Sequence, residues 1–396
     1  MWYDVSRIGD EMRIFKAYKF RLYPTKEQEI LINKNIGSSR YVYNYFLNRK
    51  DEYYRESKNN LSLKDMKQEL VGLKKELPWL QEVDSMALTN TIDNLDRGYT
   101  NYFKKIASHP IFKKRGCRDR YRTICIKGEY KNNKYANIII DLKNKTIKLP
   151  KLGIIPIRGY RNLVKDLNIR NATVEKIGLK YYVSLCCEEE IDIPKSRIIH
   201  AVGIDLGVSS LVTTSDGIKY PKLIIKRIEE HIKVYQERLS RCIKNSKNYL
   251  KIKNKIARLY QKIKNMRKYY IHEITNDLLR DNELIVCETL KTKEMIEESH
   301  VKSLTKGIVN ASFNKIIRQL EYKTKWHNKV LLKVNTYYPS SKLCSHCGTK
   351  NEINDLSIRS FECIKCKFLN DRDINASINI LDEGIKIAVN KGLIIV

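Results

Sequence analysis

Cys344, Cys347, Cys363 and Cys366 form two CxxC pairs separated by fifteen residues, and Asp371 and Asp373 follow within seven residues of the last thiol. A four-thiolate site draws both ends of that loop to one ion, so it constrains the local fold more than any hydrophobic pattern does. The spacing suits zinc, and a closed four-thiolate zinc site is structural. It folds a loop too short to build a core of its own. Two pairs in register argue against a redox dithiol. His346 sits inside the first knuckle and is read as a loop residue, not a ligand. Carboxylates are hard ligands and thiolates soft ones, so the run from Cys344 to Leu381 sets two metal chemistries side by side. The other cysteines, Cys117, Cys125, Cys186, Cys187, Cys242 and Cys287, are scattered in apolar or basic contexts and read as reduced packing residues of a cytosolic protein.

Charge narrows the partners. Lys and Arg number 76 against 45 acids, a net of +31 spread along all 396 residues. Such a charge repels itself in a compact fold and is tolerated where a polyanion neutralises it, so a long nucleic-acid-binding surface is expected. The 25 tyrosines offer stacking platforms for unpaired bases, beside ordinary packing roles. No apolar run approaches the length of a membrane span, and the start lacks a signal core, so a cytoplasmic protein without membrane contact is expected. The patterned sequence begins just after Met12, which makes Met12 a second candidate start.

The hydrophobic periods predict an α/β multidomain chain. Residues 14–24 alternate apolar and basic and read as a half-buried strand ended by Pro24. Thr25 and Gln28 form a capping box opening a helix to about Lys50; further helices begin near Leu63 and about Ser85. From about residue 120 the period is two, and the resulting strands could join the first strand in an antiparallel barrel, with the helices as an insertion. A polar linker, "EEEIDIPKSR", places a boundary near 195. Beyond it come a strand to Asp205, a second strand with a Ser-Asp-Gly turn, a basic helical hairpin over 223–280, and a buried strand ending near Glu288. An amphipathic helix, "ASFNKIIRQLEYKTKW", and a strand leading into the cysteines follow.

Asp205, Glu288 and Asp373 each end an apolar run or open a helix. A carboxylate beside a strand core is costly unless it is paired or holds a cation. Three such acids drawn together suit Mg²⁺ or Mn²⁺, and two ions can activate a water and stabilise the leaving oxygen of a phosphodiester. By periodicity alone, a helix cap or an ion pair fits each acid as well.

"YPSSKLCSHCG", "LSIRSFECIKC" and "NDRDINASINI" resemble the C-terminal signature of the TnpB family, the RNA-guided nucleases of small transposons. "KAYKFRLYPTKEQ", "SSRYVYNYFL", "PWLQEVDSMALTNTIDNLDRGYTNYF", "FKKRGCRDRYRT", "GIDLGVSSLVTTSDG" and "NASFNKIIRQLEYKTKW" match that family's pattern in the same order. Miniature type V CRISPR effectors share the nuclease core. The resemblance implies an RNase H-like RuvC nuclease domain over 196–338 and 370–396, with a zinc-ribbon insertion over 339–369. It implies a wedge-like β-barrel over 1–24 and 108–195, carrying a helical recognition insertion over 25–107. It implies that Asp205, Glu288 and Asp373 bind catalytic Mg²⁺ (or Mn²⁺), with Asp371 the alternative to Asp373, while Cys344, Cys347, Cys363 and Cys366 bind structural Zn²⁺. The implied partners are a transposon-derived guide RNA and duplex DNA bearing a short adjacent motif; protein oligomers are not required. By position the motif readers fall at Ser85, Met86, Thr89 and Lys127, where this chain departs from relatives with a Lys or aromatic residue.

The implied activity is Mg-dependent, RNA-guided cleavage of DNA at one RuvC site. Alternative readings are a CRISPR effector using an array-derived RNA, a non-cutting regulator of transposition, and a transposase that joins DNA ends. The intact acid triad argues against the regulator.

Overall fold

The computed structural model describes residues 7–8, 11–116, 118–130, 133–159, 167–192, 198–290, 294, 297, 305, 307, 311–351 and 359–393. Cys117, residues 193–197 of the expected linker and residues 352–358 of the expected zinc ribbon lie outside them. The chain divides into two compact units, Met1–Asp192 and Ile193–Val396.

The first unit is built on β1 (Arg7–Ile8), β2 (Glu11–Leu22), β3 (Arg120–Ile124), β4 (Lys127–Tyr130), β5 (Asn133–Ala136), β6 (Ile139–Asp141), β7 (Thr146–Leu149), β8 (Gly153–Arg158), β9 (Asn168–Ile177) and β10 (Lys180–Asp192). The main sheet runs β3-β9-β10-β2-β8-β7-β6, with β1 added on β2 and a separate β4–β5 hairpin. Its spine is the long antiparallel pair of β2 and β10, in register from Tyr181 opposite Leu22 to Asp192 opposite Glu11. The alternation read from the sequence explains this strand. Ile14, Tyr18, Phe20 and Leu22 are buried, while Lys16 and Lys19 meet Glu189 and Glu175 at 2.5 and 2.8 Å.

The expected barrel is not closed by strand pairing. Among the described residues β3 and β6 are the two ends of the sheet. Asn137 spans the seam: its N–H donates to Ile126 O at 3.2 Å, its Oδ1 accepts from Ile126 N at 2.7 Å and its Nδ2 donates to Ile124 O at 3.1 Å. The strands on both sides of the seam share one core, including Tyr121, Ile138, Ile147 and Val174.

Between β2 and β3 lie α1 (Lys26–Ser57), α2 (Leu63–Glu76) and α3 (Ser85–Phe103). Thr25 and Gln28 form the expected capping box. Helix α1 continues past Lys50 to Ser57: Tyr53 packs against the helical core and Asp51 accepts from Tyr99, while Arg55 and Glu56 are exposed. Ser62 caps α2 with Asp65, and Asp84 caps α3. Phe46, Leu47, Met66, Leu88 and Ile92 form their common core.

The second unit holds β11 (Ala201–Asp205), β12 (Ser210–Thr214), β13 (Lys219–Pro221), β14 (Leu284–Glu288), β15 (Val330–Val334), β16 (Ser360–Glu362) and β17 (Leu369–Asp371), with α4 (Lys226–Ser240), α5 (Lys247–Asp281), α6 (Phe313–Trp326) and α7 (Arg372–Asn390). The sheet order is β13-β12-β11-β14-β15. Strands β11, β14 and β15 are parallel, while β12 and β13 run antiparallel. Both faces are covered. Ile285 and Cys287 pack toward α5 and α6, and Leu284 and Val286 toward α7. That explains why β14 reads as one apolar run instead of an alternation. Helices α4 and α5 form the expected hairpin, closed by Ile225, Ile232, Ile256 and Ile263. The strand expected to lead into the cysteines stops at Val334, and turns about Asn335 and Pro339 carry the chain onward.

No helix among the described residues is long and apolar enough to cross a membrane.

Candidate functional site

Asp205 and Glu288 end neighbouring parallel strands, one step beyond the pair Ile204 and Cys287. The carboxyl ends of parallel strands are where ligands bind in such sheets. Helix α7 brings Asp373 to the same edge, because it crosses β11 with almost no gap. A Cβ on Gly203 would lie 2.1 Å from Ser377 O, and one on Gly384 2.3 Å from Val286. Only glycine permits that approach.

The electrostatics record the convergence. The Asp205 carboxyl is pushed up to about 7 from the ordinary 3.8, first by burial and then by Glu288 and Asp373. Burial also raises Glu288, against a hydrogen bond donated by Ser340. Asp205 and Glu288 are both half-buried. Asp373 pairs with Arg359 at 3.4 Å.

Asp371 and Asp373 separate by role. Asp371 caps α7: its Oδ1 accepts from Asp373 N at 3.0 Å and Ile374 N at 3.2 Å. Its Oδ2 accepts from Lys219 at 2.6 Å. Both oxygens are engaged, which favours Asp373 as the acid available to a cation. The hard oxygen donors fit Mg²⁺ or Mn²⁺ in kind. They are less tightly gathered than the thiols: among the described residues, only Cys344, Cys347, Cys363 and Cys366 form a set of three or more such ligands with all ligand atoms within 4.8 Å of one another.

The thiols are held by one turn used twice. Gly348 N donates to Cys344 O at 2.8 Å and Cys344 N to Thr349 O at 2.9 Å. Lys367 N donates to Cys363 O at 3.0 Å and Cys363 N to Phe368 O at 2.9 Å. Gly348 and Lys367 both take positive φ, 72° and 59°. A Leu343–Lys350 bridge and the β16–β17 ladder flank the two turns. Sulfur–sulfur distances of 3.6 Å (Cys344 to Cys366) and 3.5 Å (Cys347 to Cys363) suit one tetrahedral ion. His346 stacks on Phe368 with ring centroids 5.4 Å apart and is not among the gathered ligands.

The expected motif readers lie in the first unit. Ser85 opens α3 and accepts from Lys74 at 2.6 Å. Met86 and Thr89 are half-buried on the same helix, and Thr89 bonds back to Ser85 O. Lys127 is exposed on β4 and donates to Asn168 at 2.8 Å. The motif reading missed a group of cations in the same unit. Arg122 is held below its usual range by burial and by Arg97 and Arg120 nearby. Clustered like charges of this kind suit a polyanion. Tyr41 and Trp79 meet edge to face at 5.1 Å and are each 39% exposed, as stacking surfaces require. In the second unit Lys251, Lys253, Lys255, Arg258, Lys262 and Lys264 are exposed along α5.

Comparison with known proteins places this geometry. Residues 184–299 match the family described as "Probable transposase". Residues 313–380 match "Cas12f1-like, TNB domain" and residues 12–59 match "Helix-turn-helix domain". That last segment folds here as β2 followed by the single long helix α1. The chain is 32% identical over 388 residues to "Putative RNA-guided DNA endonuclease InsQ" of Escherichia coli (strain K12), covering 94% of this chain and 93% of the relative. It is 31% identical to "Putative RNA-guided DNA endonuclease" of Streptomyces pristinaespiralis, covering 94% and 90%. It is 22% identical to "TnpB-like protein L770" of Acanthamoeba polyphaga mimivirus, covering 93% and 73%. In fold it is similar to the protein of "Cryo-EM structure of the Cas12f1-sgRNA-target DNA complex", with a TM-score of 0.56 at 13% identity, covering 93% of this chain and 98% of that one.

Proposed function

The chain belongs to the TnpB-like family of RNA-guided DNA endonucleases, and on that premise we propose how its own residues carry out guided cleavage. The protein binds a guide RNA and a DNA target, as the net charge of +31 and the cation clusters of both units support. Base pairing reads the target, while the protein reads duplex shape and a short adjacent motif. Ser85, Met86, Thr89 and Lys127 are the proposed motif readers.

Cleavage is assigned to an RNase H-like, RuvC-type site of Asp205, Glu288 and Asp373. The observation that carries this assignment is that Asp205 and Glu288 end neighbouring parallel strands with Asp373 of α7 close enough to raise the Asp205 carboxyl. These three carboxylates would hold a divalent cation, which when bound would supply Lewis-acid activation of water and charge stabilisation at a phosphodiester. The chain's part is to hold Asp205 half-buried at the end of β11, to aim Glu288 through Ser340, and to hold Asp373 at the first turn of α7. Asp371 anchors that turn as the cap. The four thiols are assigned to structural zinc in a ribbon inserted between β15 and α7. The layout proposed for the whole chain is the wedge-like barrel, helical insertion, split nuclease domain and zinc ribbon.

The test starts with the RNA that co-purifies when the gene is expressed with its flanking DNA. An RNA running from the gene's 3′ end past a transposon boundary supports the reading and supplies a guide. That complex should cut a matched plasmid with Mg²⁺, stop in EDTA, and bind without cutting as Asp205→Ala. Absence of a discrete RNA, or full activity of Asp205→Ala, would overturn it.

A further inference from the structure

Asn375 and Asn379 lie one turn apart on α7, 0% and 5% exposed. Asparagine is a poor helix-interior residue, and a buried amide is costly unless its polar atoms are partnered. Both find their partners on one short segment outside the helix. Asn375 Nδ2 donates to Leu343 O at 2.6 Å, and its Oδ1 accepts from Ser345 N at 2.9 Å. Asn379 Nδ2 donates to Ser340 O and Leu343 O, both at 2.8 Å. Cys344 sits between the two anchors of Asn375. Ser340, itself buried, donates its hydroxyl to Glu288. Two amides therefore join a thiolate turn, the helix that carries Asp373, and the strand that carries Glu288.

We propose that Asn375 and Asn379 are positioning residues that couple the thiolate site to the carboxylate site, so that divalent-cation affinity at Asp205, Glu288 and Asp373 depends on the order of the zinc turn. The proposal rests on the reading of those acids as a cation site. Zinc fixes the turn at Cys344 to Cys347. The Asn375 clamp passes that order to the first turn of α7, and the Asn379 clamp passes it through Ser340 to Glu288. A role confined to packing would cost stability and leave cation affinity alone.

The experiment uses the full chain with its guide RNA, comparing the parent with Asn375→Ala and Asn379→Ala. Zinc per chain is measured by chelator release, stability by melting, and Mn²⁺ binding by electron paramagnetic resonance. The carboxylate-site signal is the Mn²⁺ bound by each protein minus that bound by its Asp205→Ala counterpart. Zinc content should hold, while the Mn²⁺ dissociation constant of that site rises about 10- to 100-fold, the range for lost outer-shell partners. Excess Mg²⁺ should then restore part of the cutting. An unchanged Mn²⁺ constant with a lower melting temperature overturns the coupling. If Asp205→Ala removes no Mn²⁺ from the parent, the reading of the acids fails first, and the coupling with it. Should an alanine variant precipitate, Asn375→Ser, too short to reach Leu343, goes through the same titration and is judged by the same two results.

Discussion

The thiol cluster and the carboxylate site meet on the chain only at Asp373, and they are assembled in opposite ways. Each thiol pair comes from one local turn, and all four sulfurs already lie within 4.8 Å of one another. The acids come from two strands and a helix far apart in sequence, and the fold brings them together against their repulsion. A site made of local turns orders itself around its ion. A site made of distant elements depends on every contact that holds those elements. Here the contacts include two glycines at the α7 crossing and the two buried amides on the same helix.

The comparison breaks most visibly at the thiols. Cys363→Ser should reduce bound zinc from one per chain to none and unfold the ribbon. Structural zinc contributes on the order of 10 kcal/mol in isolated finger peptides, so the melting of the second unit should fall sharply. Retained zinc and unchanged melting would remove the structural assignment. Asp205→Ala should leave zinc and nucleic-acid binding intact while cutting drops by more than the roughly 10- to 100-fold typical of outer-shell losses. A plasmid-nicking assay checks this.

Titration sharpens the contrast further. Burial and the two neighbouring acids raise the Asp205 carboxyl to about 7, against 3.8 ordinarily. A raised folded value means the stabilisation is full below about pH 4 and is lost as pH rises through about 7, by no more than about 4 kcal/mol. Melting in chelator across that window should show the decline, and Asp205→Asn should flatten it. The smallest effect is expected from Gly203→Ala. Its Cβ would meet a backbone oxygen, Ser377 O, at 2.1 Å, so the helix must shift instead of a side chain rotating. Overpacking of this kind costs about 1–3 kcal/mol. Zinc content should hold while cutting falls further than the melting change accounts for.

The same contrast explains what could be read from the sequence. The thiol spacing is a local signal, and the observed cluster matches it ligand for ligand. Capping at Thr25 and the hairpin stripe from Ile225 to Ile263 were legible for the same reason. The acids were not separable by periodicity from caps or ion pairs. The structure shows why, since Asp371 is such a cap and lies two residues from Asp373. Asn375 and Asn379 look like ordinary polar positions on a helix, because their partners come from another segment. The end of α1 was missed where its last turn is exposed, and the seam because one residue, Asn137, makes its hydrogen bonds, which leaves no periodic trace.

That seam has its own consequence. Strand register changes only in whole residues, and a shift by one turns every side chain to the opposite face. Among the described residues β3 and β6 share no ladder, and Asn137, at the base of the β4–β5 hairpin, links Ile124 and Ile126 through its backbone N–H and its side-chain amide. Whole-residue steps fix β2 against β10, whereas the link between Ile124, Ile126 and Asn137 is held by three hydrogen bonds of one residue.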